Sequence, residues 1–345
     1  MAKPGEDITA DALPKNGKYG GSGFFGMNPI GMSATKTLPL PATFPNGARA
    51  AVLMTFDCEG TYGNGTGDMA LEVENYFRMG DRLASLGLKA TFNIVGKMAE
   101  NQGPDFVKHL HACGSEVASH GYWHEMTHFG EHAYHGHYGF EENFESLKRG
   151  AEALAAIIGE PIRGARIPYG HFNEHTYDAV ESLNLDWTSN VAIEALKDSA
   201  LGFGPAPFIP VIGGKTHSFV EIPLDSETYD WSIWVADENN ASFVERVRTY
   251  AAQRGIEFDR TPSGGAAIWR DRIAQTIENE SMFTLLCHPT NLAIKSDQWG
   301  DPVDEFMFPV FDELACNQDA GRIWAPTCAE LTDLYRSVMV SAESE

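Results

Sequence analysis

Residues 50–56 read AAVLMTF, and residues 57–60, which follow at once, read DCEG. A short apolar run bounded by polar residues predicts a strand that is buried on both faces, as in a parallel sheet. Carboxylates at the C-terminal end of such a strand lie where the active sites of α/β sheets and barrels are built. The segment therefore predicts an α/β protein with Asp57 and Glu59 at the mouth of its sheet.

Strands and helices are predicted to alternate along the rest of the chain, which is typical of parallel α/β architecture. We expect one barrel-like α/β domain over residues 49–340, preceded by an irregular arm over residues 1–48. Phe24, Phe25 and Met27 of the arm could dock on the barrel or on a neighbouring subunit, which leaves a homo-oligomer open. The predicted strands cover residues 50–56, 89–95, 116–118, 161–166, 185–189, 219–223, 282–287 and 322–325, and the predicted helices cover residues 71–86, 105–112, 140–158, 173–183, 242–254, 265–278, 303–316 and 329–338.

The composition is that of a globular protein with a strongly acidic surface. The 345 residues carry a formal net charge of −23 at pH 7, which argues against nucleic acid or an anionic membrane as a partner. Five cysteines are scattered without a C-x-x-C pair, so neither a disulfide framework nor a zinc site built from thiolates is indicated. The sequence shows no apolar run near the roughly 20 residues of a membrane span and no signal peptide at its start, so we expect a cytoplasmic protein.

Residues 119–125 read SHGYWHE and contain two histidines four positions apart. This spacing would place His120 and His124 on one face of a helical turn, from which both imidazoles could reach one metal ion. The pair alone is a weak signal, because a chain with 12 histidines contains such pairs by chance. It gains weight from three other segments at predicted strand ends, which are residues 57–59, 166–170 and 287–289.

These segments belong to four motifs that resemble the polysaccharide deacetylase superfamily, also described as NodB homology or carbohydrate esterase family 4-like proteins. The motifs are TFDCE at 55–59, SHGYWH at 119–124, RIPYG at 166–170 and LLCHP at 285–289, and they stand in the order of the family. The resemblance implies a deformed (β/α) barrel of the NodB homology type. It also implies a hydrolase of C–N bonds other than peptide bonds, most simply an N-deacetylase that uses metal-activated water on an acetylated sugar.

The first motif departs from the family pattern of two adjacent aspartates, because Cys58 separates Asp57 from Glu59. This form looks more like the branch that contains peptidoglycan-deacetylase-like proteins, cyclic imide hydrolases and metal-free allantoinases. The substrate could therefore be an oligosaccharide or a small cyclic amide or imide, and a metal-free state stays open. A further alternative is a non-catalytic protein that binds a carbohydrate or metabolite on the same barrel.

Two imidazoles and one carboxylate suit Zn²⁺ or another divalent transition metal, and they leave a position for water. We assign His120, His124 and Glu59 as metal ligands and Asp57 as the general base that takes a proton from the attacking water. Asp57 and Glu59 share one face of an extended strand, so the reverse assignment is allowed as well. Cys58 faces the other way, yet its thiolate would suit zinc and is a third option.

The resemblance gives roles to three further residues. Arg166 would hold the base carboxylate ionised and oriented, although it could also form an ordinary buried ion pair. Tyr169 would offer its backbone N–H to the oxyanion, and His288 would protonate the leaving amine. An acid that raises the pKa of His288 is expected nearby, and the sequence leaves three candidates open, which are Asp186, Asp225 and Asp230.

Overall fold

A computed structural model describes residues 36–37, 40–62, 67–124, 138–191, 206–212, 214–225, 228–235 and 241–342. Within these ranges a curled sheet of ten strands packs against helices, and a separate two-stranded hairpin lies beside it. The strands are β1 Lys36–Thr37, β2 Ala50–Cys58, β3 Thr91–Ile94, β4 Glu116–Ser119, β5 Gly164–Ala165, β6 Trp187–Thr188, β7 Phe208–Ile209, β8 Val211–Ile212, β9 Lys215–Thr216, β10 Val220–Glu221, β11 Met282–Cys287 and β12 Ile323–Trp324.

The helices agree with the predicted positions to within a few residues, and they include two short ones that the sequence patterns did not reveal, α2 and α8. They are α1 Met69–Ser85, α2 Gly96–Gln102, α3 Asp105–Ala112, α4 Phe140–Ile158, α5 Glu174–Ser182, α6 Ala241–Arg254, α7 Pro262–Glu278, α8 Pro289–Leu292, α9 Phe308–Asp319 and α10 Cys328–Ala342. None of the helices in the described ranges has both the length and the hydrophobicity needed to cross a membrane.

The sheet is parallel through its centre and antiparallel at one edge. Its order is β1-β7-β10-β6-β5-β4-β3-β2-β11, with β12 also paired to β2. All pairs from β10 to β11 are parallel, whereas β7 and β1 join antiparallel. The predicted deformed (β/α) barrel is therefore confirmed, as a curled, partly open sheet whose central strands deliver their C-terminal ends to one rim.

The arm predicted over residues 1–48 falls mostly outside the described residues, including Phe24, Phe25 and Met27. Where it is described, the backbone of Lys36–Thr37 pairs with Phe208–Ile209 as a short edge strand, and the arm as a whole stays a prediction. Two predicted central strands are also shorter than expected, since pairing is confined to Gly164–Ala165 and Trp187–Thr188.

Every residue of β2 is buried, and its two faces have different neighbours. Phe56 and Cys58 face the apolar layer between the sheet and its helices, where the rings of Phe56 and Phe92 stack 4.7 Å apart. Leu53 faces the barrel interior, in a cluster that contains Trp187. Because side chains alternate along a strand, Thr55 and Asp57 continue this interior face towards the rim. The alternation thus places an acid at the mouth of the barrel and a thiol in the core.

Trp187 fills the barrel interior and requires a glycine beside it. A Cβ built at Gly164 would lie 1.9 Å from the indole, which no side chain could tolerate. The indole N–H donates to the Glu116 carboxylate over 2.9 Å. This packing fixes β5 against β6, and β5 leads directly into Arg166 at the rim.

Candidate active site

The two acids at the C-terminal end of β2, Asp57 and Glu59, have different partners. Glu59 Oε1 lies 2.9 Å from Nε2 of His124 and 3.4 Å from Nε2 of His120. Asp57 Oδ1 accepts from Arg166 Nη1 over 2.8 Å and from Asn93 Nδ2 over 3.0 Å. The structure therefore brings Glu59 to the imidazoles and Asp57 to the guanidinium, and it brings all of them to the same rim.

Cys58 lies on the other side of the strand, in the apolar core. Burial raises the pKa of its thiol well above the ordinary value. A protonated thiol turned away from both imidazoles has no path to a shared ion, so the thiolate option from the sequence is wrong, for the reason that side chains alternate along β2.

The segment from His120 to His124 is a bend, and the expected helical turn is wrong. Gly121 has φ of 73°, a left-handed conformation that interrupts helical geometry and that glycine adopts readily. The imidazoles nevertheless meet, with ring centroids 5.2 Å apart. His120 Nδ1 lies 2.8 Å from the carbonyl oxygen of Arg166, so Nδ1 donates its proton to that carbonyl and Nε2 is the ring nitrogen on the side of Glu59.

The Glu59, His120 and His124 donor set fits a divalent metal ion. Their ligand atoms all lie within 4.8 Å of one another. Two ligand atoms held about 2.0–2.2 Å from one ion in tetrahedral geometry lie about 3.3–3.6 Å apart, close to the observed Glu59 to imidazole distances. The Nε2 atoms of both histidines are buried without a hydrogen-bond partner. Burial of an unpaired polar atom destabilises the folded state unless a bound ion or ligand interacts with that atom. We therefore regard these three residues as the candidate metal site.

Glu59 is held ionised in this buried position. Burial by itself raises the pKa of its carboxyl, but the imidazoles of His124 and His120, with a smaller contribution from His288, outweigh burial and hold the pKa well below the usual range. A carboxylate that is ionised at neutral pH is the form that binds a cation.

Arg166 is buried, and its described side-chain hydrogen bonds are all with residues at the rim of the sheet. Its Nε donates to the Ser189 carbonyl and its Nη2 to the Ser189 hydroxyl, both over 2.9 Å. Its Nη1 donates to Thr55 Oγ1 over 3.0 Å as well as to Asp57. Three fixed contacts besides Asp57 orient the guanidinium, so the position of the Asp57 carboxylate is determined by the framework.

Tyr169 is the one non-glycine residue of the RIPYG segment with a left-handed backbone. Its φ of 59° is left-handed, a conformation that costs energy for a residue with a side chain and that often marks functional sites. Its ring packs edge-on to the His124 ring at 4.5 Å. The preceding Ile167 N–H donates to Asn190 Oδ1 over 2.8 Å, which holds the segment against the loop after β6.

His288 approaches the candidate metal site from β11. Its Nε2 lies 3.8 Å from Glu59 Oε1, and its Nδ1 lies 3.0 Å from Asp230 Oδ1. Asp230 Oδ2 accepts from the His288 backbone N–H over 3.0 Å and from Asn291 Nδ2 over 2.6 Å. Burial alone would lower the pKa of His288, but the charge and hydrogen bond of Asp230, together with the charges of Glu59 and Asp57, raise it to about 10.

The structure selects Asp230 from the three acids that the sequence left open. Asp186 pairs instead with Arg163 and Arg336, and Asp225 pairs with Arg272. Two further polar residues at the site, Asn93 and Asn291, were missed by the sequence analysis. Asn93 could have been found, because it is a polar residue inside the apolar strand TFNI.

An open cleft joins these groups. Asp57, Glu59 and His288 lie on its walls, and Tyr229, Trp231 and Leu224 supply much of its apolar lining. Convergent polar groups with a few aromatic walls are typical of a site for a small molecule or a short segment of a polymer.

Comparison with known proteins finds a family match over part of the chain and several solved structures with a similar fold. Residues 45–187 match the family model described as polysaccharide deacetylase. A presumed polysaccharide deacetylase from Mycobacterium smegmatis has a similar structure, with a TM-score of 0.64 and 19% identity over 88% of this chain and 96% of the other. Puue allantoinase is similar at a TM-score of 0.56 and 14% identity, over 87% and 94%.

A probable polysaccharide deacetylase from Pseudomonas aeruginosa PAO1 has a TM-score of 0.57 and 14% identity, over 86% of this chain and 93% of the other. No curated protein matches the sequence. At these identities the solved structures establish the fold, and the family match over residues 45–187 includes three of the four motifs. Residues 45–187 therefore match a polysaccharide deacetylase domain, and the fold of the chain agrees with that match.

Proposed function

We propose that the chain is a metal-dependent hydrolase that cleaves the C–N bond of an amide, with an N-acetylated sugar as the first candidate substrate. The observation that carries the proposal is the convergence of Glu59, His120 and His124 beside the Asp57 carboxylate. His288 lies on the same cleft. Amide hydrolysis needs an activated water, a base for its proton and an acid for the leaving nitrogen, and this set offers all three.

Glu59, His120 and His124 would hold the ion, and zinc suits two imidazoles and a carboxylate. When bound, a divalent ion acidifies a water molecule and polarises a carbonyl oxygen. The hydrogen bond from His120 Nδ1 to the Arg166 carbonyl keeps Nε2 free to coordinate. The buried donor set needs little rearrangement for binding, because its atoms already lie within 4.8 Å.

Asp57 is proposed as the base. Its Oδ2 lies 4.0 Å from His120 Nε2, on the side of the candidate metal ligands, while Oδ1 is held by Arg166 and Asn93. The carboxylate takes a proton from water as the oxygen bonds to the carbonyl carbon. Arg166 keeps the carboxylate oriented for this transfer.

His288 is proposed as the acid that completes the reaction. Its side chain is protonated at neutral pH, since Asp230 and the nearby carboxylates raise its pKa to about 10. As the C–N bond breaks, the imidazolium gives its Nε2 proton to the leaving nitrogen. The strained Tyr169 segment would present its backbone N–H to the oxygen that gains negative charge.

A second candidate reaction is the opening of a cyclic amide or imide. It is favoured by the first motif, in which Cys58 follows Asp57 and Glu59 supplies the second carboxylate, a form that resembles the small-molecule branch of the superfamily. Ring opening uses the same water, base and acid, so the two reactions differ in the substrate that the cleft accepts.

The metal mechanism is tested by removing the ion with a chelator and by replacing His124 with alanine. Each change should abolish hydrolysis, and re-addition of zinc should restore only the native chain, because a site of three protein ligands is severely weakened by the loss of one. Full hydrolysis in both cases would refute a metal mechanism. Loss with His124→Ala but not with chelation would point to the metal-free alternative.

The substrate class is tested with acetylated oligosaccharides on one side and hydantoins, imides and allantoin on the other. Turnover of the first set supports the deacetylase, and turnover of the second supports the cyclic amidohydrolase. Binding of a compound without metal and without turnover would support the non-catalytic binder instead, whereas stoichiometric zinc would argue against it.

A further inference from the structure

Three side chains with metal-binding atoms meet outside the cleft, where α1 packs against α3. Asp81 extends from α1, His109 lies on the last turn of α3, and Cys113 caps the same helix one turn further on. The Nε2 atom of His109 lies 3.0 Å from Asp81 Oδ1 and 3.6 Å from Cys113 Sγ. All three ligand atoms lie within 4.8 Å of one another.

We propose that Asp81, His109 and Cys113 form a second site for a transition-metal ion, with zinc as the expected occupant. With a Zn–S bond of about 2.3 Å and a Zn–N bond of about 2.0–2.1 Å, tetrahedral geometry places sulfur and nitrogen about 3.5 Å apart. The observed 3.6 Å agrees with that value, and the 3.0 Å between oxygen and nitrogen is a few tenths shorter than the corresponding distance. The site thus needs only small side-chain adjustments to bind.

The surrounding structure holds the imidazole in place. Cys113 donates its backbone N–H to the His109 carbonyl over 2.9 Å, which keeps the two ligands one helical turn apart. The His109 ring packs on Phe77 with centroids 4.9 Å apart. It also lies over Gly80, where a Cβ would be 3.1 Å from its Cδ2 and 3.3 Å from its Nε2. The glycine before Asp81 therefore leaves room for the ring.

The same residue types could suggest a Cys-His-Asp catalytic triad, but the geometry argues against it. In a triad the acid binds one ring nitrogen and the nucleophile contacts the other. Here Asp81 and Cys113 both approach Nε2 of His109, as ligands around a common ion would.

The site is accessible to ions from solvent, because the Asp81 side chain is 72% exposed and the His109 side chain 26% exposed. Its thiol distinguishes it from the candidate catalytic site, which offers only imidazole and carboxylate ligands. A cobalt ion bound by a thiolate gives an intense near-ultraviolet charge-transfer band, whereas a cobalt ion bound by nitrogen and oxygen does not. The two sites can therefore be told apart in one protein, and this inference does not depend on the proposed catalytic function.

The experiment uses the full chain, stripped of metal with a chelator and titrated with Co²⁺. The native chain should develop the thiolate band, and Cys113→Ser should lose it. Cys316→Ser is the matched control, because Cys316 is an exposed free cysteine that serves no proposed site, and it should keep the band. Zn²⁺ added in excess should bleach the band by displacing cobalt.

Absence of the band in the native chain, or its persistence in Cys113→Ser, would overturn the proposal. Its loss in Cys316→Ser would do the same. His109→Ala should also lose the band, and circular dichroism of each variant shows whether the fold is kept. Hydrolysis by Cys113→Ser should equal that of the native chain, because none of the three ligands lines the cleft.

Discussion

The pair of Asp230 and His288 allows a quantitative prediction for the substitution Asp230→Asn. The substitution removes the charge that does most to raise the His288 pKa while keeping the size of the side chain. Without that charge, and with burial still opposing protonation, the pKa should fall to its ordinary value of about 6.5 or below. At pH 8 the native imidazole, with a pKa of about 10, is almost fully protonated. In the variant only about 3% would be protonated at that pH.

If His288 is the acid, the hydrolysis rate at pH 8 should fall at least about 30-fold, whereas at pH 6 the change in protonation should reduce it less than about 2-fold. The assay is the pH dependence of kcat, with the alkaline limb expected to move down towards pH 6.5. Asp186→Asn is the matched control, because Asp186 pairs with Arg163 and Arg336 and should leave the profile unchanged. An alkaline limb that stays in place in Asp230→Asn would refute the assignment of His288 as the acid.

The same pair predicts a pH-dependent contribution to stability. The pKa of His288 is raised in the folded chain, so its contribution is fully present below the unfolded value of about 6.5 and is lost as the pH rises through about 10. Asp230→Asn should therefore unfold more easily than the native chain at pH 6 and approach it near pH 10.

Three further substitutions test the framework. Elemental analysis should find the metal content of the native chain in Cys58→Ala and a loss of metal in Glu59→Gln. If both variants lost metal to the same extent, the Cys58 thiol would be a ligand of the ion. Gly150→Ala would bring a Cβ to 2.6 Å from the Gly121 carbonyl, so we expect a loss of about 1–3 kcal/mol in urea unfolding and weaker metal binding. Arg166→Met leaves a buried carboxylate unpaired and should cost about 3–5 kcal/mol, and a loss below about 1 kcal/mol would contradict its role as partner of that acid.

Much of the fold could be read from local patterns. The strand at Ala50–Cys58 was predictable because burial of so long an apolar run is favourable. The direction of its side chains was predictable because successive residues of a strand point to opposite faces of the sheet. The helices were placed nearly as well, since each carries its own apolar periodicity. Short strands such as Gly164–Ala165 were overestimated, because their length depends on pairing with neighbours that are distant in sequence.

The histidine pair shows where a local pattern was misleading. A spacing of four residues suggested a helical turn, but Gly121 bends the chain, and the His120 imidazole is held by a hydrogen bond from outside the segment. His120 is held by the carbonyl of Arg166, which is 46 positions away in the sequence. The prediction that the two rings meet was therefore correct, while the stated reason was wrong.

The sequence by itself determined which residue types stand at the rim and on which face of β2 the acids lie, because strand alternation is a property of the local backbone. Only the tertiary structure decided how those groups are paired. Asp57 meets Arg166, Glu59 meets the two imidazoles, and Asp230 rather than Asp186 or Asp225 meets His288. The sequence does not distinguish one carboxylate from another. Their roles differ because the folded sheet brings a different basic side chain within a few ångströms of each, and at that distance the interaction is strong enough to determine the protonation state of both partners.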